Sequence, residues 1–212
     1  MIHKQETIAN GKIDKEKISL EMLDYLTDNL LGKWYPAAID KEYGGYFTNF
    51  SYDFNLMKEQ EKMIVTQARN MWTTAKAFEF LGDKNFYQYS KHGFDFLKNK
   101  MWDNKFGGYF QIRSRDGGFS DVEKWNDEKR MYGNAFAIYG LAALYQITHD
   151  NEILELAKKS FEWIEKHSYD SKFDGYFQFL TREGKPFDKS STYKTQATDA
   201  VEVGYKDQNS SI

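Results

Sequence analysis

Cysteine is absent from the 212-residue sequence, and proline and histidine are scarce, with two and four copies. The absence of cysteine excludes a disulfide framework, a thiol nucleophile and a cysteine-ligated zinc site. The histidines show no spacing that is typical of a metal site, so we expect no metal. Because neither a proline-rich stretch nor a low-complexity tract divides the chain, residues 1–212 are predicted to form a single domain, with residues 1–14 flexible.

A strong excess of charge is also missing, since 29 basic and 32 acidic residues give a formal net charge of −3. No basic stripe or tail is present that would favour nucleic acid or an anionic membrane as a partner. No apolar run approaches the roughly 18 residues of a membrane span, and the polar first residues lack the apolar stretch of a secretory signal. We therefore expect a soluble, cytoplasmic protein.

Aromatic residues, by contrast, make up 17% of the chain. A large aromatic core accounts for most of them. The functional alternative is a sugar-binding cleft, in which rings stack on the apolar C–H faces of a sugar and polar side chains meet its hydroxyls. Composition alone does not decide between the two.

One short motif recurs about every 65 residues. Its copies are Asp40-Lys-Glu-Tyr-Gly-Gly-Tyr-Phe47, Asp103-Asn-Lys-Phe-Gly-Gly-Tyr-Phe110 and Asp170-Ser-Lys-Phe-Asp-Gly-Tyr-Phe177. The glycines favour a turn with positive φ, and the residues after them are typical of a short strand. Each copy is therefore predicted to form a small β-hairpin, followed by polar turns such as those at Arg115 and Arg182.

Between the hairpins, apolar residues recur with helical periodicity. Helices are predicted over residues 15–33, 62–81, 84–101, 127–148 and 151–167, with caps at Asp14 and Asp150 and a sixth helix beginning near residues 206–208. Small residues in the fourth helix suit a crowded inner ring, whereas the charged fifth helix suits an outer ring. Two such rings make an α/α toroid, which closes with about six helix pairs, and this sequence supplies fewer than three. An open α-solenoid is the alternative.

Arg69 is the strongest candidate for a catalytic residue, because it lies on an otherwise apolar helix one turn from Trp72. A buried arginine is costly unless it is paired. Arg69 is therefore expected either to form a structural salt bridge or to polarise a sugar carbonyl and stabilise an oxyanion. The four histidines, in contrast, occupy terminal or outer-helix positions and are interpreted as structural.

Three polar residues at the starts of helices complete the candidate site. Tyr132 and Asn134 open the fourth helix, and an asparagine within a run of small residues suggests a hydrogen-bonding role. Asn209 opens the sixth helix, where an N-cap is the structural alternative. The candidate substrate contacts are Trp72, Tyr132, Asn134 and Asn209, with a core role for Tyr132 and an N-cap for Asn209 as the structural alternatives.

Three stretches resemble motifs of the N-acylglucosamine 2-epimerase family, which includes cellobiose 2-epimerases and related aldose–ketose isomerases. Gln67-Ala-Arg-Asn-Met-Trp-Thr73 resembles the Q-A-R-x-x-W-T signature of the family. Tyr132-Gly-Asn-Ala-Phe-Ala-Ile-Tyr139 resembles its Y-G-x-A-F-A-I-Y helix, and Asp207-Gln-Asn-Ser-Ser-Ile212 resembles the segment before its first catalytic histidine. Together with the repeated hairpin, the similarity covers the chain from about residue 20.

The resemblance implies an all-α (α/α)6 barrel, of which this chain would be about the amino-terminal half, with short β-hairpins between helices. It implies that Arg69 contacts the carbonyl region of a sugar, that Tyr132 and Asn209 line the same pocket, and that no cofactor is required. The histidines and the glutamate that transfer protons in the family would lie beyond Ile212, so we expect the 212-residue chain alone to be inactive. The exposed apolar surface of a half-barrel also predicts self-association into a homo-oligomer.

Two other functions stay open. A glycoside hydrolase or lyase on the same barrel would need two inner carboxylates, for which Glu79 and Asp127 are the nearest candidates. A non-enzymatic helical-repeat scaffold would bind a glycan or a protein in its concave face, and it would have no pocket around Arg69.

Overall fold

The computed structural model of the chain describes residues 8–9, 12–120 and 127–187. The described residues fall into two compact units, which divide between Ile39 and Asp40. The predicted sixth helix and Asn209 lie outside the described residues.

Within the described residues, helices dominate and every strand is two residues long. The α-helices are α1 (Lys15–Asp24), α2 (Gly32–Trp34), α3 (Ile64–Leu81), α4 (Lys84–Phe96), α5 (Met131–Thr148) and α6 (Asn151–Ser168). The backbone is π-helical over Tyr25–Leu31, after α1, and over Leu97–Met101, after α4. The strands are β1 (Ile8–Ala9), β2 (Lys12–Ile13), β3 (Lys62–Met63), β4 (Ile112–Arg113), β5 (Lys129–Arg130), β6 (Tyr169–Asp170), β7 (Gly175–Tyr176) and β8 (Phe179–Leu180).

Aspartates begin three of the helices, as local sequence chemistry dictates. The carboxylates of Asp14, Asp83 and Asp150 each accept a hydrogen bond from a backbone N–H in the first turn of α1, α4 and α6. Such a cap replaces a partner that the first N–H groups of a helix lack. The caps predicted at Asp14 and Asp150 are confirmed.

The starts of α3 and α5 lie two and four residues later than predicted, because long-range strand pairing takes up the preceding residues. Strand β3 pairs antiparallel with β4, and β5 pairs antiparallel with β8. In each pair, the strand just before a helix, α3 or α5, meets the strand that follows the next hairpin along the chain. Helical periodicity contains no signal for such a distant partner.

Helices α3 and α5 pack against each other, α4 packs on α3, and α6 packs on α5. Small residues allow the close approach of α3 and α5. A Cβ atom added at Gly140 of α5 would lie 2.7 Å from the backbone oxygen of Ala68 in α3. This contact explains the run of small residues in the sequence of α5, and Leu141 and Leu144 are fully buried on the same helix.

The three copies of the repeated motif each form a tight turn. In the first two copies, the backbone N–H of the aspartate donates to the second glycine, and that of the first glycine donates back to the aspartate carbonyl. The glycines have φ between 69° and 86°, as predicted from the sequence, whereas the third copy places Asp174 at φ 58°. In that copy β6 pairs with β7.

Candidate active site

An amide clamp fixes each of the first two hairpins to the helix that carries the candidate residues. The side chain of Gln67 on α3 accepts from the backbone N–H of Tyr46 and donates to its carbonyl, both at 2.8 Å. The side chain of Asn134 on α5 makes the same pair of bonds with Tyr109, at 2.7 and 3.3 Å. All four residues are fully buried, so these bonds replace solvent for backbone groups that would otherwise have no partner.

Each clamp stands beside an ion cluster. In the first ion cluster, the Asp40 carboxylate accepts from the Lys62 ammonium at 2.8 Å and from the Arg115 guanidinium at 2.9 and 3.1 Å. Lys62 also donates to the carbonyl of Gly44, at the turn of the hairpin. The cluster therefore joins the first hairpin to β3 and to the turn that follows β4.

The second ion cluster repeats this arrangement about 65 residues later along the chain. The Asp103 carboxylate accepts from the Lys129 ammonium and from the Arg182 guanidinium, both at 3.0 Å. Lys129 also donates to the carbonyls of Gly107 and Arg182. Arg182 further bonds Asp127, which pairs with Arg113.

The electrostatics of both clusters follow from burial and pairing together. Burial alone raises the pKa of Asp103, but hydrogen bonds from Arg182 and Lys129 outweigh it and hold the pKa at about 2. Asp40 shows the same balance, with its pKa also at about 2. Burial lowers the pKa of Lys129 to about 8 although Asp103 opposes the change. Both clusters are thus charged at neutral pH and hold the hairpins against the starts of α3 and α5.

An open pocket of about 650 Å³ lies between the amino-terminal halves of α3 and α5. Its lining residues are Arg69, Trp72, Thr73, Tyr132, Ala135, Phe136 and Tyr139. The spacing within each helix is three or four residues, which brings the side chains to one face. Three of the side chains predicted from the sequence, those of Arg69, Trp72 and Tyr132, therefore meet in one pocket.

Aromatic rings form the walls of this pocket. The rings of Trp72 and Tyr139 stack with centroids 5.0 Å apart, and the ring of Phe136 packs edge-on between Tyr132 and Tyr139 at 4.8 and 5.9 Å. Tyr132 and Tyr139 are about half exposed. Flat apolar rings beside hydroxyl groups are suited to the alternating C–H and O–H faces of a sugar.

Arg69 is the charged residue of the pocket, and it is exposed. Within the described part of the chain its guanidinium makes neither an ion pair nor a hydrogen bond, and it lies 5.8 Å from the centroid of the Phe136 ring. The salt bridge considered as the structural alternative is thus not formed by any described residue.

Tyr132 is held at the pocket by the third hairpin. The backbone N–H of Tyr132 donates to the side-chain oxygen of Gln178 at 3.2 Å, and that of Met131 donates to the Gln178 carbonyl at 3.0 Å. Gln178 therefore caps the first turn of α5 from outside the helix. Sequence reasoning missed this contact, although Gln178 directly follows the third Tyr-Phe pair.

Asn134, another predicted substrate contact, is not among the described residues that line the pocket. Asn134 is fully buried, and its amide bonds Tyr109 and the backbone oxygen of Arg130. Its hydrogen-bonding role is therefore to hold the second hairpin, as Gln67 holds the first. Asn209 lies outside the described residues.

The described histidines have contacts that fit structural roles. Nε2 of His92 lies 2.9 Å from the carbonyl oxygen of Gly45, and Nδ1 of His167 lies 3.2 Å from that of Gly184. His149 ends α5 in a left-handed conformation. In the part of the chain that the structure describes, no group of three or more histidines and carboxylates could hold a metal ion. No helix there is long and apolar enough to cross a membrane.

The lysines of the two ion clusters hold the hairpins in place, and the sequence analysis does not predict this role. Lys62 and Lys129 each lie five residues before a clamp residue, Gln67 and Asn134. This shared spacing was available in the sequence. The two lysines lie between the hairpins, outside the repeated motif itself.

A family model and a curated relative both identify the family of this chain. The model of the family described as N-acylglucosamine 2-epimerase (GlcNAc 2-epimerase) matches residues 45–197. The cellobiose 2-epimerase of Bacteroides fragilis is 32% identical over 169 residues, which cover 79% of this chain and 42% of that protein. The chain therefore spans about two fifths of the length of this curated relative.

Solved structures agree with the fold. A sugar epimerase from a ruminal bacterium has 30% identity and a TM-score of 0.73, covering 82% of this chain and 42% of that one. A family 76 glycoside hydrolase from a bovine Bacteroides thetaiotaomicron strain has a TM-score of 0.61 at 16% identity over 83% of this chain and 35% of its own, which shows the fold alone. The predicted fold class is confirmed: the helices are those of part of an (α/α)6 barrel. From the family match over most of its length and from these relatives, the chain belongs to the N-acylglucosamine 2-epimerase family.

Proposed function

We propose that this chain is part of a sugar 2-epimerase or aldose–ketose isomerase that acts at C2 of an aldose of the N-acylglucosamine, mannose/glucose or cellobiose type. The observation that carries the proposal is the guanidinium of Arg69 in an aromatic pocket, where no described residue forms an ion pair with it. The cellobiose 2-epimerase relative supports the same reaction class.

The chemistry requires a hydrogen-bond donor or a cation beside the sugar carbonyl. Once the sugar ring opens, a base removes the proton on C2. The electron pair of the C–H bond forms the C1–C2 double bond, and the electron pair of the carbonyl π bond moves onto O1. The product is an enolate, which is an enediolate where C2 carries a hydroxyl group. The negative charge on the oxygen must be stabilised while the proton is absent. A preorganised donor at such an oxyanion contributes about 3–4 kcal/mol. Arg69 is the candidate for this role because no described carboxylate competes for its charge.

The pocket walls supply the binding surface. Trp72 and Tyr132 are proposed to contact the sugar, Trp72 through its ring face and Tyr132 through its ring and hydroxyl group. Asn209 is proposed to contribute from the same side, on the strength of the family resemblance. A neutral hexose suits this surface because, among the described lining residues, Arg69 is the only charged one.

The base for proton transfer is not among the described lining residues of the pocket, which include no histidine and no carboxylate. General base catalysis contributes roughly 10²–10⁴-fold, so the reaction depends on this missing group. The family resemblance assigns this role to histidine. Two bases on opposite faces of C2 would give epimerisation, and one base that moves the proton between C1 and C2 would give isomerisation. No cofactor is needed in either scheme, and a cytoplasmic location and self-association stay predictions.

The carboxylate-based alternative has less support. Glu79 is exposed and pairs with Lys76 at 2.7 Å, and Asp127 bonds Arg113 and Arg182 away from the pocket. Neither carboxylate belongs to the described lining of the pocket. A pocket around Arg69 also argues against the scaffold hypothesis, which predicted none.

Sugar binding and C2-proton exchange test the proposal separately. Binding of mannose, glucose, N-acetylmannosamine and cellobiose to this chain is measured by saturation-transfer NMR, with Arg69→Ala as the test variant. Lys76→Ala is the matched control, because Lys76 is a cation on the same helix outside the pocket. Exchange at C2 in D2O is followed with this chain and, where its gene continues past Ile212, with the longer product.

We expect Arg69→Ala to weaken sugar binding and Lys76→Ala to leave it unchanged. Loss of the C2 proton signal would establish abstraction next to the carbonyl, and the product would separate epimerase from isomerase. If no sugar of the panel binds the chain, or if both variants bind equally well, the assignment of this pocket is wrong.

A further inference from the structure

The guanidinium of Arg69 has one described neighbour that can set its direction, the ring of Phe136. The central carbon of the guanidinium lies 5.8 Å from the centroid of that ring. A long arginine side chain on an exposed surface samples many rotamers unless a partner restricts it. A cation within about 6 Å of an aromatic face is attracted to it by the ring quadrupole. Phe136 is thus positioned to restrict a side chain that makes no other described polar contact.

The ring of Phe136 is itself well fixed. Tyr132 and Tyr139 lie one turn away on either side along α5 and meet the ring edge-on, at interplanar angles of 63° and 79°. Tyr139 in turn stacks on Trp72 of α3, at 16°. A series of ring contacts that spans α3 and α5 therefore fixes the Phe136 ring beside Arg69.

Phe136 does not have the environment of a core residue. Its neighbours Ala137 and Leu141 are fully buried, whereas Phe136 is half-buried and lines the pocket. A half-buried ring contributes less to core packing than a fully buried one does. Its place on the pocket wall, fixed by the two tyrosines, puts the ring beside the Arg69 guanidinium.

We propose that Phe136 is a positioning residue, which holds the Arg69 guanidinium over the pocket in the direction that a bound oxyanion requires. The contact in the free protein does not depend on the reaction. The effect on ligand binding rests on the proposed function of Arg69. The two parts therefore have separate tests.

The first test uses the free protein. Arginine Nε–Hε signals are recorded by ¹H–¹⁵N NMR, and the Arg69 signal is assigned by its loss in Arg69→Lys. Phe136→Leu removes the ring and its ring current, and it is expected to shift the Arg69 signal toward the position of a free arginine. Phe136→Tyr keeps the ring and is expected to restore the original position. Phe78→Leu is the matched control, since Phe78 is a half-buried ring on α3 that contacts Tyr87.

The second test uses an aldonohydroxamate, a planar analogue of the enediolate, as the probe. Phe136→Leu is expected to weaken its binding about two- to fivefold, the range of an exposed cation–π contact. Phe136→Tyr and Phe78→Leu should bind as the unaltered chain does. In an Arg69→Met background Phe136→Leu should cause no further loss, because a residue that acts through Arg69 has no effect without it.

The outcomes separate the two ideas. An Arg69 signal that does not move in Phe136→Leu, or an equal loss of affinity with and without Arg69, would overturn the positioning role. A chain that binds neither sugars nor the hydroxamate would overturn the proposed function, and the NMR signal of Arg69 would still decide whether Phe136 holds the guanidinium.

Discussion

Replacement of Asp103 by asparagine should destabilise the protein because it removes the charge that two cations share. Asp103 is 2% exposed as a residue, and it accepts from Lys129, which is fully buried, and from Arg182. Asparagine has the same shape and can still accept from the backbone N–H of Lys105. The change therefore leaves the hairpin turn in place and leaves a buried ammonium without its counter-ion.

The cost follows from the burial of that ammonium. Removing one partner of a buried ion pair typically costs about 3–5 kcal/mol, because the remaining charge is uncompensated. Arg182 keeps its bond to Asp127, and Lys129 keeps two backbone carbonyls, so we expect the lower end of this range. A loss of about 3 kcal/mol would be a large share of the stability of a domain of this size.

The cost should also depend on pH. Burial lowers the pKa of Lys129 to about 8, and the Asp103 carboxylate opposes that shift. Without the carboxylate, the pKa of Lys129 in the folded state falls further below its unfolded value. The folded state then binds fewer protons than the unfolded state at pH values between the two, so stability rises with pH there. The difference in stability between Asp103→Asn and the unaltered chain is therefore expected to shrink as pH rises to about 8 and to stay constant above it, where Lys129 is neutral in both folded proteins.

Asp170→Asn provides a control matched by the repeat. Asp170 accepts from the backbone N–H of Lys172 as Asp103 accepts from that of Lys105, both at 2.9 Å. In the described residues Asp170 has no ion pair, so its replacement should cost less than about 1 kcal/mol. Urea unfolding followed by circular dichroism at pH 6, 7.5 and 9 gives the free energy of unfolding for all three proteins. Equal losses for the two variants would show that the turn, and not the ion cluster, carries the effect.

Three further changes test the scaffold. The pKa of Asp40 and that of Asp103 are each held at about 2, against a usual 3.8. Each carboxylate therefore adds about 2 kcal/mol to the free energy of unfolding, and this contribution is present above pH 3.8 and is lost as pH falls through 2. A stability profile that stays flat from pH 4 to pH 2 would contradict this. Asn134→Ala leaves two buried backbone groups without their partner, and each should cost about 1–3 kcal/mol of stability. Sugar affinity, measured by NMR, should stay unchanged. Weaker sugar binding by a folded variant would contradict the structural role of Asn134. Gly140→Ala should lower the melting temperature, because overpacking against Ala68 costs about 1–3 kcal/mol, and an unchanged melting temperature would mean that the helices separate freely.

The repeat, the helices and three members of the pocket were predictable from the sequence because each depends on local patterns. Helical periodicity places Arg69 and Trp72 one turn apart on α3, and the glycine pairs of the hairpins specify their positive φ angles. The small residues of α5 predicted a close helix contact, which Gly140 makes. These properties follow from spacing along the chain alone.

The tertiary structure decided the roles that depend on distant partners. Asn134 looked like a ligand contact in the sequence, but the second hairpin packs against α5 and takes up its amide. Local sequence carries no signal for the role of Lys129, because folding brings Asp103 and Arg182 to it from 26 and 53 residues away. Arg69 could have been a salt bridge or a ligand contact, and only the absence of a carboxylate among its described neighbours favours the second. Local sequence determines which face a side chain occupies, but its chemistry is set by the charges and polar groups that folding places against that face.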